Sequence, residues 1–270
     1  HRAGRCSRET TAVMLAGELA LGGLLPLIID CGPQGNASTS LAVEHQSTEG
    51  MCEVLMRSTS IEAVVQKVAG FPHLECISSN TALAQAEINL VSMVARELRL
   101  KEAIAELVAG RTSLGIPYDY MFIDCPPSLG LLTVNALAAA QELLIPIQCE
   151  YYALEGLTQL LETYTIVRKR LNSELKLSTI ILTMFDGRTR LANDVASSVR
   201  SHFPRELIDI PIPRAVRISE APSYGQTVMT YDPVSPGAIA YMQIAKEISE
   251  RGKSFDVNAV NVDYSKGESA

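Results

Sequence analysis

Apolar positions along this chain fall into short unbroken runs that alternate with longer stretches repeating every three or four residues. The unbroken runs GLLPLIIDC (23–31), HLECIS (73–78), YDYMFIDCPPS (118–128), ELLIPIQC (142–149) and LSTIILTMF (177–185) read as buried strands. Helical spacing predicts helices over 9–21, 82–108 (as two), 128–140, 153–171, 189–203 and 237–251. CEVLMR and SIEAVVQKV read as short helices, and ELIDIPIPR (206–214) as a short edge strand whose prolines fix its end. This alternation predicts an α/β fold, doubly wound, with a mainly parallel sheet and helices on both faces. No repeat or linker divides the chain. Residues 1–252 are therefore expected to form one domain, and the polar stretch 253–270 a disordered tail.

Composition narrows the function. At 270 residues, 47% hydrophobic and 20% charged, the chain suits one globular α/β domain. Only 5% of residues are aromatic and none is Trp, which counts against stacking on single-stranded nucleic acid as the main activity. A net charge of −7 excludes a generally basic nucleic-acid coat but leaves room for a local basic patch. The six cysteines (Cys6, Cys31, Cys52, Cys76, Cys125, Cys149) form no CxxC pair and are expected to be free thiols in a reducing cytoplasm. No run reaches the roughly 18–20 apolar residues that a membrane span needs, and no signal peptide is visible.

Two strand ends carry the candidate chemistry. YDYMFIDCPPS places Asp124 at the carboxyl edge of a parallel sheet, where such folds bind ligands. A carboxylate there can hold Mg²⁺ beside a phosphate through water, or it can cap a helix or shape a turn. GLLPLIIDCGPQGNAS ends its strand in Asp30 and enters a Gly/Asn/Ser turn, which suits a ligand loop or a plain connection. The order loop, helix, strand–Asp–PQGN, strand–Asp–PPS favours the ligand reading.

That order occurs with TTAVMLA (10–16), PQGNAST (33–39), FIDCPPSLGLLTVNAL (122–137), IPIQCEYYALEGL (145–157), ILTMFDGRTRLANDV (181–195) and IPRAVRISEAPSYGQTV (212–228). Together they resemble the ParA/Soj family of deviant-Walker partition ATPases, relatives of MinD. The resemblance covers nearly the whole chain and implies a P-loop NTPase fold of the SIMIBI type. It implies ATP and Mg²⁺ as cofactors, an ATP-closed homodimer, and non-specific DNA binding in that state. Release would follow hydrolysis stimulated by a ParB-like centromere-binding protein, in the bacterial cytoplasm on the nucleoid, during chromosome or plasmid partition. By the same likeness Gly4, Arg8, Thr10, Thr11, Asp30 and Pro213 stand at nucleotide-binding positions, and Asp124 and Glu9 at metal positions. Arg188, Arg190, Arg214 and Arg217 stand at DNA-binding positions in two segments that look adjacent. Glu150, Tyr151 and Tyr152 resemble the dimer-interface segment.

The phosphate loop departs from the family. Where the family reads K-G-G-V-G-K-T-T-T, this chain has Ala3, Gly4, Arg5, Cys6, Ser7, Arg8, Glu9, Thr10 and Thr11. The lysine that crosses the dimer becomes Ala3. Two glycines that let backbone N–H groups wrap the phosphates become Arg5 and Ser7. The gripping lysine becomes Arg8, which keeps the charge without the compact ammonium. The Mg²⁺-ligating hydroxyl becomes Glu9, which repels phosphate although a carboxylate can bind Mg²⁺ itself. In the family's D-x-D-P-Q the second Asp orients the attacking water, and here it is Gly32. No catalytic position is intact, and hydrolysis is expected to be impaired. The chain also begins at His1 without the apolar strand of about eight residues that precedes the loop in the family, so unpaired neighbouring edges are expected.

Two further functions stay open. One is a pseudo-ATPase that binds DNA or a paralogue without nucleotide. The other is a MinD-like membrane-associated ATPase, which needs a basic amphipathic C-terminal helix. The tail SFDVNAVNVDYSKGESA is polar and weakly charged, so no membrane partner is expected. The four arginines equally suit ion pairs with neighbours such as Asp186, Asp194 and Glu220.

Overall fold

The computed structural model describes residues 8–46, 48–126 and 128–259, with side chains placed within 10–252 of these. The loop positions Ala3 to Ser7, Gly4 among them, and the tail residues 260–270 lie outside the described residues.

Helix α1 (Arg8–Leu21) turns through Gly22 and Gly23 into β1 (Pro26–Asp30). Gly23 sits at φ +87°, the left-handed conformation that closes a helix end, and Leu24 N–H bonds back to Leu19 C=O. The chain continues through α2 (Asn36–Ser40), α3 (Met51–Met56), β2 (Val65–Lys67), β3 (Glu75–Ile77), α4 (Ala82–Leu90), α5 (Arg99–Ser113), β4 (Tyr120–Asp124) and α6 (Leu131–Ala139). Its second half comprises β5 (Glu142–Gln148), α7 (Ala153–Arg170), β6 (Lys176–Thr183), α8 (Arg190–His202), β7 (Leu207–Ile208), the short α9 (Val216–Glu220) and α10 (Val228–Tyr231), and α11 (Pro236–Ala259).

Two sheets result, in the orders β2-β3-β1-β4 and β5-β6-β7. Every pairing is parallel except β2 with β3. Side-chain alternation explains why the core strands read as unbroken apolar runs. Leu27 and Ile29 of β1, with Met121 and Ile123 of β4, face α3, α4, α5 and α6. Ile28 between them faces Val13 and Ala16 of α1, Ala37 of α2 and Leu41 just beyond it. In the second sheet Ile145, Ile147, Ile180 and Leu182 meet Leu157, Val195 and Val199 of α7 and α8. Leu144 and Ile181 turn the other way, to Met14, Tyr241 and Ile244 of α1 and α11. Both faces are covered, as the doubly wound expectation requires.

Among the described residues β4 pairs only with β1, and β5 only with β6. Tyr120 and Phe122 of β4 and Leu144 of β5 all pack on the same cluster around Met14 and Tyr241. The β4 and β5 edges thus flank one apolar cluster.

Local expectations are corrected at four places. SIEAVVQKV is a single 3-10 turn (Ile61–Val64) followed by β2, because Val65 and Lys67 pair with Ile77 and Glu75 at the sheet edge. The 82–108 stretch does split into two helices, but the second runs on to Ser113. The break is fixed by buried Asn135 of α6, whose amide donates to Arg96 C=O (2.7 Å) and Leu131 C=O (3.0 Å) and accepts from Leu100 N–H (3.2 Å). The 206–214 strand shrinks to Leu207–Ile208, since Pro211 and Pro213 lack ladder donors. Helix α11 continues to Ala259, past its expected end at Arg251.

Candidate functional site

Topology brings the candidate residues to one edge. The turn after α1 delivers the chain to the start of β1, so α1 runs antiparallel to the strand. With 14 residues α1 spans roughly 21 Å and the five of β1 roughly 17 Å, which returns the start of α1 to the end of β1. Arg8 and Glu9 occupy that first turn. Asp30 and Asp124 are register partners at the ends of β1 and β4, and Cys31 N–H extends the pairing to Asp124 C=O at 2.9 Å.

Asp30 is fully buried, and both its oxygens are engaged. Oδ1 accepts from Gly32 N–H at 2.9 Å, while Oδ2 accepts from Ser38 N–H at 2.9 Å and Ser38 Oγ at 2.7 Å. Burial pushes the Asp30 carboxyl above the usual range, and the hydrogen bonds from Ser38 and Gly32 oppose that shift. Ser79 closes the network: its N–H donates to Ser38 Oγ at 3.1 Å and its hydroxyl to Gly32 C=O at 2.8 Å. Gly35, at φ +60°, is required here, because a Cβ would lie 2.5 Å from Ser79 C=O. The PQGN turn is thus strapped to the end of β3 by a buried carboxylate. Ser38 lies inside the PQGNAST motif, but Ser79 carries no signal in the sequence.

The other nucleotide and metal positions divide. Asp124 is 5% exposed at the sheet edge. Thr10 and Thr11 are buried in α1, with Thr11 Oγ1 3.3 Å from Tyr241 OH of α11. Gly32 brings no side chain to the edge. Among the described residues no group of three His, Cys, Asp or Glu side chains is arranged around a metal position.

Beyond the carboxyl ends of β5 and β6, the arginine segments meet. Pro213 bridges to Phe185, and Arg214 N–H bonds to Phe185 C=O at 3.1 Å, joining the loop after β6 to the segment before α9. Each arginine is paired. Arg188 chelates Asp186 through Nε (2.9 Å) and Nη2 (2.8 Å), which lowers the partly buried Asp186 carboxyl to about 2. Arg190 lies 3.6 Å from Asp194. Arg217 reaches Glu220 and Asp232 at 3.4 and 3.6 Å, with its guanidinium over the Tyr231 ring. Arg214 contacts Glu150 at 2.7 Å, beside Tyr151 and Tyr152, which are 78% and 73% exposed.

Fold and site together define a doubly wound α/β protein of the P-loop NTPase class. A family model described as an AAA domain matches residues 1–177. The sporulation initiation inhibitor protein Soj of Bacillus subtilis is 42% identical over 250 residues, covering 92% of this chain and 96% of that protein. The chromosome partitioning protein ParA of Myxococcus xanthus is 41% identical, covering 92% and 85%. The chain belongs to the ParA/Soj family of partitioning proteins. Among solved structures, cobyrinic acid a,c-diamide synthase from Mycobacterium smegmatis, with bound ATP analogue and magnesium, matches at a TM-score of 0.78 and 30% identity, covering 94% of this chain and 93% of that one. No helix among the described residues is long and apolar enough to cross a membrane.

Proposed function

We propose that this chain is a DNA-partitioning switch of the ParA type whose nucleotide hydrolysis is impaired. The observation that carries this reading is the pairing of Asp30 and Asp124 at adjacent strand ends beside the start of α1. That arrangement suits a bound nucleotide: helix N-terminal N–H groups and Arg8 for its phosphates, Asp124 for Mg²⁺. Mg²⁺ would neutralise phosphate charge there. Asp30 cannot share that task without giving up Gly32 and Ser38, so its part is to hold the PQGN turn in place. Gly32 offers no carboxylate for orienting water. The loop substitutions at Arg5, Ser7, Arg8 and Glu9 weaken binding, and hydrolysis lacks its water-orienting carboxylate.

In this reading the exposed Glu150–Tyr152 segment belongs to a homodimer face, and Arg188, Arg190, Arg214 and Arg217 contact DNA phosphates. A ParB-like protein is the partner, and the nucleoid the place of action. DNA co-sedimentation and light-scattering mass, each with and without Mg-ATP, test it: the chain should bind DNA and gain dimer mass only with millimolar ATP. Gly32 favours one rival, a pseudo-ATPase, for which DNA binding would be the same with and without nucleotide.

A further inference from the structure

The four arginines face five carboxylates: Asp186, Asp194, Glu150, Glu220 and Asp232. The face is therefore neutralised as it stands. Four of these acids sit close to their arginine in sequence or on the adjoining short helices. Glu150 does not. It arrives from the end of β5, 64 residues from Arg214, on the segment that carries the two exposed tyrosines. Tyr151 and Tyr152 pack edge-to-face on each other, with ring centroids 5.0 Å apart. Glu150 itself is anchored locally by its N–H on Gln148 C=O at 2.8 Å.

We propose that Glu150 is the counter-ion that sets how many cations this face offers to a phosphate backbone. Paired with Glu150, Arg214 is withheld; displacement of the Glu150–Tyr152 segment releases it. The inference rests on the DNA-binding reading above and adds a link between the tyrosine-bearing segment and DNA affinity. Both side chains of the pair are about half exposed, at 54% and 47%, and exposed pairs are weak. A surface that engages Glu150 or the tyrosines can therefore release Arg214 readily. The other pairs join residues at most 15 positions apart in the chain and carry no such link.

The test is DNA affinity against salt for the full chain, Glu150→Gln, Arg214→Ala, the double variant, and Glu162→Gln as a control of equal charge change on the exposed side of α7. A 30-base-pair duplex serves as probe, and circular dichroism melts confirm that each variant is folded. One extra phosphate contact steepens the slope of log K against log[salt] by about 0.9 and, at moderate salt, tightens binding about threefold to tenfold. Glu150→Gln should show that gain, the double variant should lose it, and Glu162→Gln should not show it. Binding by all variants with no gain in Glu150→Gln, or an equal gain in Glu162→Gln, overturns the inference alone. No DNA binding by any variant at low salt overturns the DNA reading and the inference with it.

Discussion

Ser38 donates two hydrogen bonds to one oxygen of Asp30, from its backbone N–H at 2.9 Å and from its hydroxyl at 2.7 Å. Asp30 has no exposed surface, so these bonds and the one from Gly32 stand in for water. The PQGN turn after β1 is therefore held by a carboxylate inside the protein.

Ser38→Ala removes one donor from a buried carboxylate and leaves Ser79 N–H without its acceptor. The expected loss is about 1.5–3 kcal/mol in urea unfolding, the range for hydrogen bonds to charged groups. A change within experimental error would contradict the strap.

The same carboxyl gives a pH dependence. Its native value is raised above the unfolded one, so its contribution to stability is full below the unfolded value and lost as pH rises through the native one. The unfolding free energy of the parent minus that of Asp30→Asn should therefore fall as pH rises above about 4, over the interval in which the unfolded carboxyl has titrated and the native one has not. A difference that rises over that interval would mean the hydrogen bonds outweigh burial.

Gly35 and Gly70 separate backbone strain from steric clash. Both have positive φ, but a Cβ at Gly35 meets Ser79 C=O and the His45 ring, whereas one at Gly70 meets nothing within 4 Å. Gly70→Ala should cost about 1 kcal/mol, and Gly35→Ala at least twice that, as read by thermal unfolding. Equal costs would remove the tight approach of this turn to β3.

Asn135→Ala frees Arg96 C=O and Leu100 N–H at the α4–α5 break. Three lost bonds at a site 1% exposed predict a loss of about 2–4 kcal/mol. Hydrogen exchange at Leu100 should speed up beyond the global change if this side chain clips the break.

Much of the architecture was legible because β1, β4, β5 and β6 send apolar side chains to helices on both faces, which makes them unbroken apolar runs. β2 was not, since Ile61, Val64, Val65 and Val68 fit a helical stripe as well as a turn and an edge strand. Only pairing with β3 decides between them. The resemblance assigns Asp30 to the nucleotide. Its engagement with Ser38 and Ser79 could not be read, because Ser79 sits 41 residues from Ser38. The local partners Asp186, Asp194 and Glu220 are visible as neighbours in the chain. Glu150 reaches Arg214 only through the sheet, and sequence spacing holds no trace of it.

In the proposed function, a ParA-type fold has its grip on nucleotide weakened by its own loop. The direct measurement is Mg-ATP calorimetry on the chain as it stands and on a version carrying Ala3→Lys, Arg5→Gly, Ser7→Gly, Arg8→Lys, Glu9→Thr and Gly32→Asp. Several lost charge-assisted contacts at about 1.5–3 kcal/mol each move a micromolar affinity into the millimolar range. We therefore predict micromolar binding for the repaired version alone. Micromolar binding by the unaltered chain would contradict the account and make its loop a working phosphate site of a different design.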